Sequence, residues 1–178
     1  MKLRIGTAVG LVLFLGMALA KPQMARFSAR QTPAGVTEEM STTAKAAAAS
    51  GCNAELWEHV YRKARLHIVE GCIAVTGTIR HIKREADGDK HIQLAVDPEF
   101  AKLLNERNKT AQGDTLILEP ICQGPATLPA AEAACSDFHS QVEVPKAGAK
   151  VRVVGSYVLD TAQGWMEIHP VSSIEVRH

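Results

Sequence analysis

Two carboxylates, an indole and an imidazole gather around one tight turn late in the sequence, in the run Asp160-Thr-Ala-Gln-Gly-Trp-Met-Glu-Ile-His-Pro170. Strand side chains alternate between faces, so in a hairpin Trp165, Glu167 and His169 point to the same side. Glu167 and His169 then start about 6.5–7 Å apart. Asp160 lies across the turn and can approach either of them. Carboxylates and an imidazole converging from neighbouring strands suit a divalent metal, or a water held between a base and its orienting partner. His91, just after Asp87-Gly-Asp89, becomes a fourth member if the fold brings the start of its strand close. The reading that needs least is a structural brace. Trp165 can cover a barrel end, Glu167 can bond backbone or an arginine, and Pro170 marks a strand edge or bulge.

The elements that must position these residues follow from periodicity. Asn53 caps a short amphipathic helix, with Glu55 in its first turn and Leu56, Trp57, Val60, Tyr61 and Ala64 at helical spacing. Residues 72–84 are rich in Ile, Val and Thr and read as a first strand, with Gly77 marking a bend or bulge. The Asp-Gly-Asp turn leads into a second strand over 91–96. Asp97 caps and Pro98 opens a short helix with Phe100, Leu103 and Leu104 as its apolar stripe. Residues 115–121, 150–159 and 165–176 are the remaining strands, and 130–138 holds another short helix. The fold class is mainly β (α+β). The spacing describes a five-stranded OB-like barrel with an N-terminal helix and one or two short inserted helices, since closing a small sheet on itself removes its exposed edges. A six-stranded open barrel and a sandwich are the alternatives.

Lys2 and Arg4, an apolar run over 5–17, and Ala18-Leu-Ala20 form the three parts of a secretory signal peptide, with cleavage expected after Ala20. The apolar run is shorter than the roughly 20 residues of a membrane span. Residues 21–51 mix Thr, Ser, Ala, Pro and Gln and read as a disordered linker, leaving 52–178 as the folded domain. The formal charge of the 178-residue chain is +1, and losing Lys2 and Arg4 brings it to −1. Such a balance gives no global attraction to nucleic acid or anionic lipid, although Arg80, Lys83 and Arg84 form a local patch. The strand residues Ile92, Leu94, Val96, Leu116 and Leu118 offer no aromatic platform for a single strand. The sequence therefore argues against a nucleic-acid partner and for a small molecule, a saccharide or a protein.

All four cysteines, Cys52, Cys72, Cys122 and Cys135, follow the expected cleavage site. An even count in an exported chain favours disulfides. Of the three pairings, Cys52–Cys72 and Cys122–Cys135 close the shortest loops, each stabilising by roughly 3 kcal/mol. A four-cysteine zinc site is the competitor, and no Cys-x-x-Cys pair supports it. Asp137 and His139 sit in a loop expected to face solvent.

Ile73-Ala-Val-Thr-Gly-Thr78, Asp87-Gly-Asp89, His91, Asp97-Pro98, Gly155-x-Tyr157, Asp160 and Gly164-Trp-x-Glu-Ile-His-Pro170 together resemble a group of small exported bacterial proteins of unknown function. The resemblance implies an OB-like fold and export, and brings no activity with it. Those proteins carry His where this chain has Gln163, which weighs against catalysis at that position. The expectation is thus a periplasmic or secreted binding or accessory module, more a binder than an enzyme, with no cofactor. The second reading is a metal-dependent hydrolase using Asp160, Glu167 and His169 with a divalent metal.

Overall fold

Alternation of apolar and polar residues builds one five-stranded sheet. A computed structural model describes residues 51–178; the expected signal peptide, and all of the expected linker except Gly51, lie outside the described residues. The strands are β1 (Leu66–Arg84), β2 (Lys90–Val96), β3 (Leu116–Leu118), β4 (Lys150–Asp160) and β5 (Met166–Val176). Ile73, Val75 and Ile79 of β1 point inward with Ile92 and Leu94 of β2, and Leu116, Leu118, Val153 and Ile168 join them in the main core. Each such side chain contributes about 1.5–3 kcal/mol of burial free energy.

β1 pairs antiparallel with both β2 and β4, β2 with β3, and β4 with β5, whereas β3 and β5 run parallel. The order is β1-β2-β3-β5-β4, and the return pairing of β4 with β1 closes the ring. The chain is therefore mainly β, with one mixed sheet and few helices.

β1 is 19 residues long and changes register three times, twice between Ile68 and Ile73 against β4 and once between Ile79 and His81 against β2. The bulge expected at Gly77 is thus elsewhere. Gly77 serves a different need, since a Cβ there would collide with the Ala95 carbonyl of β2. At the other end of the sheet, the register of β4 against β5 shifts between Gly155–Val171 and Tyr157–Ile168, which places Pro170 in a bulge as expected.

The helices differ more from expectation. Asn53 does cap, accepting the Glu55 N–H at 3.0 Å, but the element it caps is a 3-10 helix over Ala54–His59. A second 3-10 turn spans Lys63–Arg65, with Arg62 at φ 54° between them. The apolar stripe stops at Val60 and Ala64 is exposed, because the chain must extend into β1 at Leu66. Three inserted helices occur where one or two were expected: a 3-10 helix (Pro98–Leu103), α1 (Glu106–Ala111) and α2 (Pro129–Cys135). Asp97 makes no side-chain cap; its carboxylate instead accepts the Thr76 hydroxyl.

Both expected disulfides form, Cys52–Cys72 and Cys122–Cys135. They pin a second apolar cluster of Leu56, Val60, Leu66, Ile121 and Val158, against which Trp57 and Phe138 pack. Two disulfides suit an oxidising, extracellular compartment. Among the described residues no helix is long and apolar enough to cross a membrane.

Candidate functional site

Polar side chains line up across the outside of the sheet in two rows. His81 pairs with Gln93, Gln93 with Ile117, and Ile117 with Glu167. In the next row Lys83 pairs with His91. Ile92, Leu118 and Ile168 are in register and point to the core, so His91, Glu119 and His169, one position away on each, point outward together. Backbone bonds carry the alignment past the end of β3: the Glu119 N–H donates to the Ile168 carbonyl at 3.0 Å, and the Glu119 carbonyl accepts from Val171 at 3.2 Å.

Two turns close over these rows. In the β1–β2 turn Gly88 takes φ +96°, and Asp89, two residues before His91, shares its face. The Asp89 carboxylate accepts the Cys122 N–H at 2.7 Å, which ties the turn to the chain beyond β3. In the β4–β5 turn the Asp160 carboxylate accepts the N–H groups of Ala162 and Gln163 at 2.8 and 3.1 Å. Its other oxygen lies 3.2 Å from Nε of Arg65. That contact is an ion pair without hydrogen-bond alignment, since both atoms lack a hydrogen-bond partner. Sheet and turns enclose a cleft of about 470 Å³, within the size range of small-molecule sites.

α1 fixes the third side. Asn105 and Asn108 form a reciprocal capping box. Asn108, fully buried, donates to the carbonyls of Thr115 and Met166 at 2.9 and 3.0 Å and accepts the Met166 N–H at 2.8 Å. This locks the starts of β3 and β5 to α1 and presents Gln112 to the cleft.

Four of the five residues singled out from sequence meet here directly. Trp165 donates its indole N–H to Glu167 at 2.5 Å, and the other oxygen of Glu167 lies 3.2 Å from Nδ1 of His169. The Trp165 ring stands edge-on to His91, centroids 6.0 Å apart. Asp160 lines the same cleft but is engaged by Arg65 and its own turn. Among the described residues, no group of three ligand atoms within 4.8 Å of one another includes Asp160, Glu167 or His169. The group of that kind that does occur joins Asp89 to the sulfurs of Cys122 and Cys135, which are bonded to each other. The metal-ligand set expected from sequence therefore does not converge.

Hydrogen bonds join the two rows. Gln93 Nε2 donates to the carbonyl oxygen and to Oε1 of Gln112. Nε2 of His91 lies 3.3 Å from Gln112 Oε1, and Nδ1 of His91 lies 2.8 Å from Glu119 Oε1. Burial pushes the Glu119 carboxyl well above its ordinary range, and the charges of Glu167 and Asp89 push it the same way. Burial and Asp87 also raise Asp89, to about 7, against the opposing pull of His169, the Cys122 amide and Arg65.

His169 differs from His91. Glu167 accepts the indole N–H of Trp165 on one oxygen, and its other oxygen lies 3.2 Å from Nδ1 of His169. His169 is 2% exposed, and Nε2 finds no hydrogen-bond partner among the described residues.

Glu119, Asp89, Gln93, Gln112, Lys83 and Arg65 were not singled out from sequence as site residues. Period-two spacing links Asp89 and Gln93 to His91, and Glu119 to Ile117, so three of these six carried a signal. Gln112 and Arg65 carried none, because each arrives from a separate short helix. Gln163 lines the cleft, as an exposed residue of the turn, while Asp137 and His139 are exposed as expected and lie outside it. Comparison of the chain with protein-family models, with curated proteins and with solved structures finds no match.

Proposed function

We propose that this is an exported, disulfide-stabilised OB-like binding module whose ligand occupies the polar cleft. A ring of strands in the order β1-β2-β3-β5-β4, with β3–β5 as its one parallel pair, fits an OB-like barrel. The observation that carries the function is the place of the cleft. It lies over the outer faces of β1, β2 and β5, with Glu119 just past β3, between the β1–β2 and β4–β5 turns; OB barrels bind oligonucleotides and oligosaccharides on the face of their second and third strands and through these two loops. The two disulfides support a periplasmic or secreted location, in line with the signal-peptide pattern of residues 1–20.

A fragment screen by two-dimensional NMR tests the reading. Ligands should shift the indole N–H of Trp165 and the side-chain amides of Gln93 and Gln112. Shifts confined to other surfaces, or none at all, would remove the cleft as the binding site.

A further inference from the structure

The cleft is rich in carboxyl groups. Six acids line it: Glu85, Asp87, Asp89, Glu119, Asp160 and Glu167. Its two fixed cations are both engaged, Arg65 with Asp160 at 3.2 Å and Lys83 with Glu85 at 2.9 Å. Among the described residues, Asp87, Asp89, Glu119 and Glu167 have no lysine or arginine within ion-pair distance. An independent observation points the same way. His169, almost wholly buried, lines the cleft, its Nε2 has no hydrogen-bond partner among the described residues, and its Nδ1 lies 3.2 Å from Glu167. A buried polar atom without a partner is unfavourable, and a ligand that hydrogen-bonds to it removes that penalty.

Resting on the reading of this cleft as the ligand site, we infer that it binds an organic ammonium ion, a primary alkylamine in its protonated form. Its N–H groups donate to Nε2 of His169 and to the carboxyls of Glu119 and Asp89, and its charge offsets that of the surrounding acids. A bare metal ion fits less well. It needs several donor atoms gathered at coordination distance, and no such group of three around His169 occurs among the described residues. A polyatomic cation spans more widely spaced acceptors, and a cleft of about 470 Å³ has room for its alkyl chain. The half-buried Trp165 ring supplies an aromatic wall for that chain or for its charged end.

The test titrates the full exported protein with 1,4-diaminobutane, followed by calorimetry and the Trp165 indole resonance. Its neutral analogue 1,4-butanediol, zinc chloride and magnesium chloride are run in parallel. Saturable binding of the diamine, with no response to the diol, is expected. Glu119→Gln and Asp89→Asn keep an acceptor oxygen but lose the charge, and each should weaken the diamine by about tenfold or more, as for loss of one partner in a buried charged contact. Equal binding of the diol, or binding of a metal without the diamine, would overturn the ammonium inference and leave the cleft reading standing. So would diamine binding that both variants leave unchanged. If no probe binds and the fragment screen also leaves the cleft unshifted, both readings fall together.

Discussion

Oε2 of Glu167 lies 3.2 Å from Nδ1 of His169, two residues further along the same strand and on the same face. Trp165, two residues earlier, fixes the other oxygen of that carboxylate at 2.5 Å. Three alternate residues, Trp165 just before β5 and Glu167 and His169 within it, therefore form a single chain of contacts: the indole holds the carboxylate, and the carboxylate sits against the imidazole of a residue that lines the cleft. These contacts position Nε2 of His169, which has no hydrogen-bond partner among the described residues.

Glu167→Ala tests the bracing role. Alanine offers no acceptor, so Trp165 and His169 both lose their bond to residue 167. A loss of roughly 1–3 kcal/mol is expected, as for a buried hydrogen bond left unmade. Urea denaturation measures it, and an unchanged midpoint would show that these contacts do not brace the turn.

Asp89 makes stability depend on pH with a defined sign. Its carboxyl is held near 7 in the fold, against about 3.9 in an unfolded chain. A raised acid keeps its proton in the folded state after the unfolded chain has lost its own. Stability therefore falls as pH rises from about 4 to about 7, by about 1.4 kcal/mol for each pH unit crossed, and levels off above. Glu119, also raised, adds the same sign. Asp89→Asn keeps the acceptor for the Cys122 N–H and removes the charge. Chemical denaturation at a series of pH values should show a shallower slope and higher stability at about pH 7.5 for the variant.

Removal of the Cys122–Cys135 disulfide, by Cys122→Ser with Cys135→Ser, should cost about 3 kcal/mol for a loop of this length. The bridge closes a 13-residue separation and borders the apolar cluster of Ile121 and Val158. Thermal melting checks the loss, and mass mapping of non-reduced peptides checks the pairing. Free thiols on most wild-type molecules would refute it.

Gly77→Ala should destabilise, because the added methyl meets the backbone of Ala95 and Val96 rather than a side chain that can turn away. A cost of about 1–3 kcal/mol is expected for overpacking against a fixed neighbour. Tyr157→Phe, which removes a buried hydroxyl donating to the Leu103 carbonyl at 2.7 Å, should cost about 1 kcal/mol. Comparing the two melts separates a steric requirement of the sheet from one hydrogen bond.

The strands were legible in the sequence because period-two alternation is a local property. Residues Ile92 and Leu94 announce an inward face, and His91 and Gln93 an outward one, whatever their partners are. The two disulfides were legible for a similar reason, since short loops limit the choice. The helices were legible only in part: those at Pro98–Leu103 and Pro129–Cys135 fall where expected. Amphipathic spacing over 56–64 suggested one helix, but the chain must extend at Leu66, and α1 has no apolar stripe at all. It exists because Asn108 is bonded on both sides, to Thr115 and to Met166.

The candidate site divides the same way. By itself the sequence placed Trp165, Glu167 and His169 on one face of one strand, since their spacing alone determines it. Only the tertiary structure decided their partners. Closure of the sheet set Glu119 beside His91 and His169, brought Asp89 over them, and turned Asp160 away to Arg65. Register between strands far apart in sequence follows from how the whole sheet packs, and no local pattern carries that information.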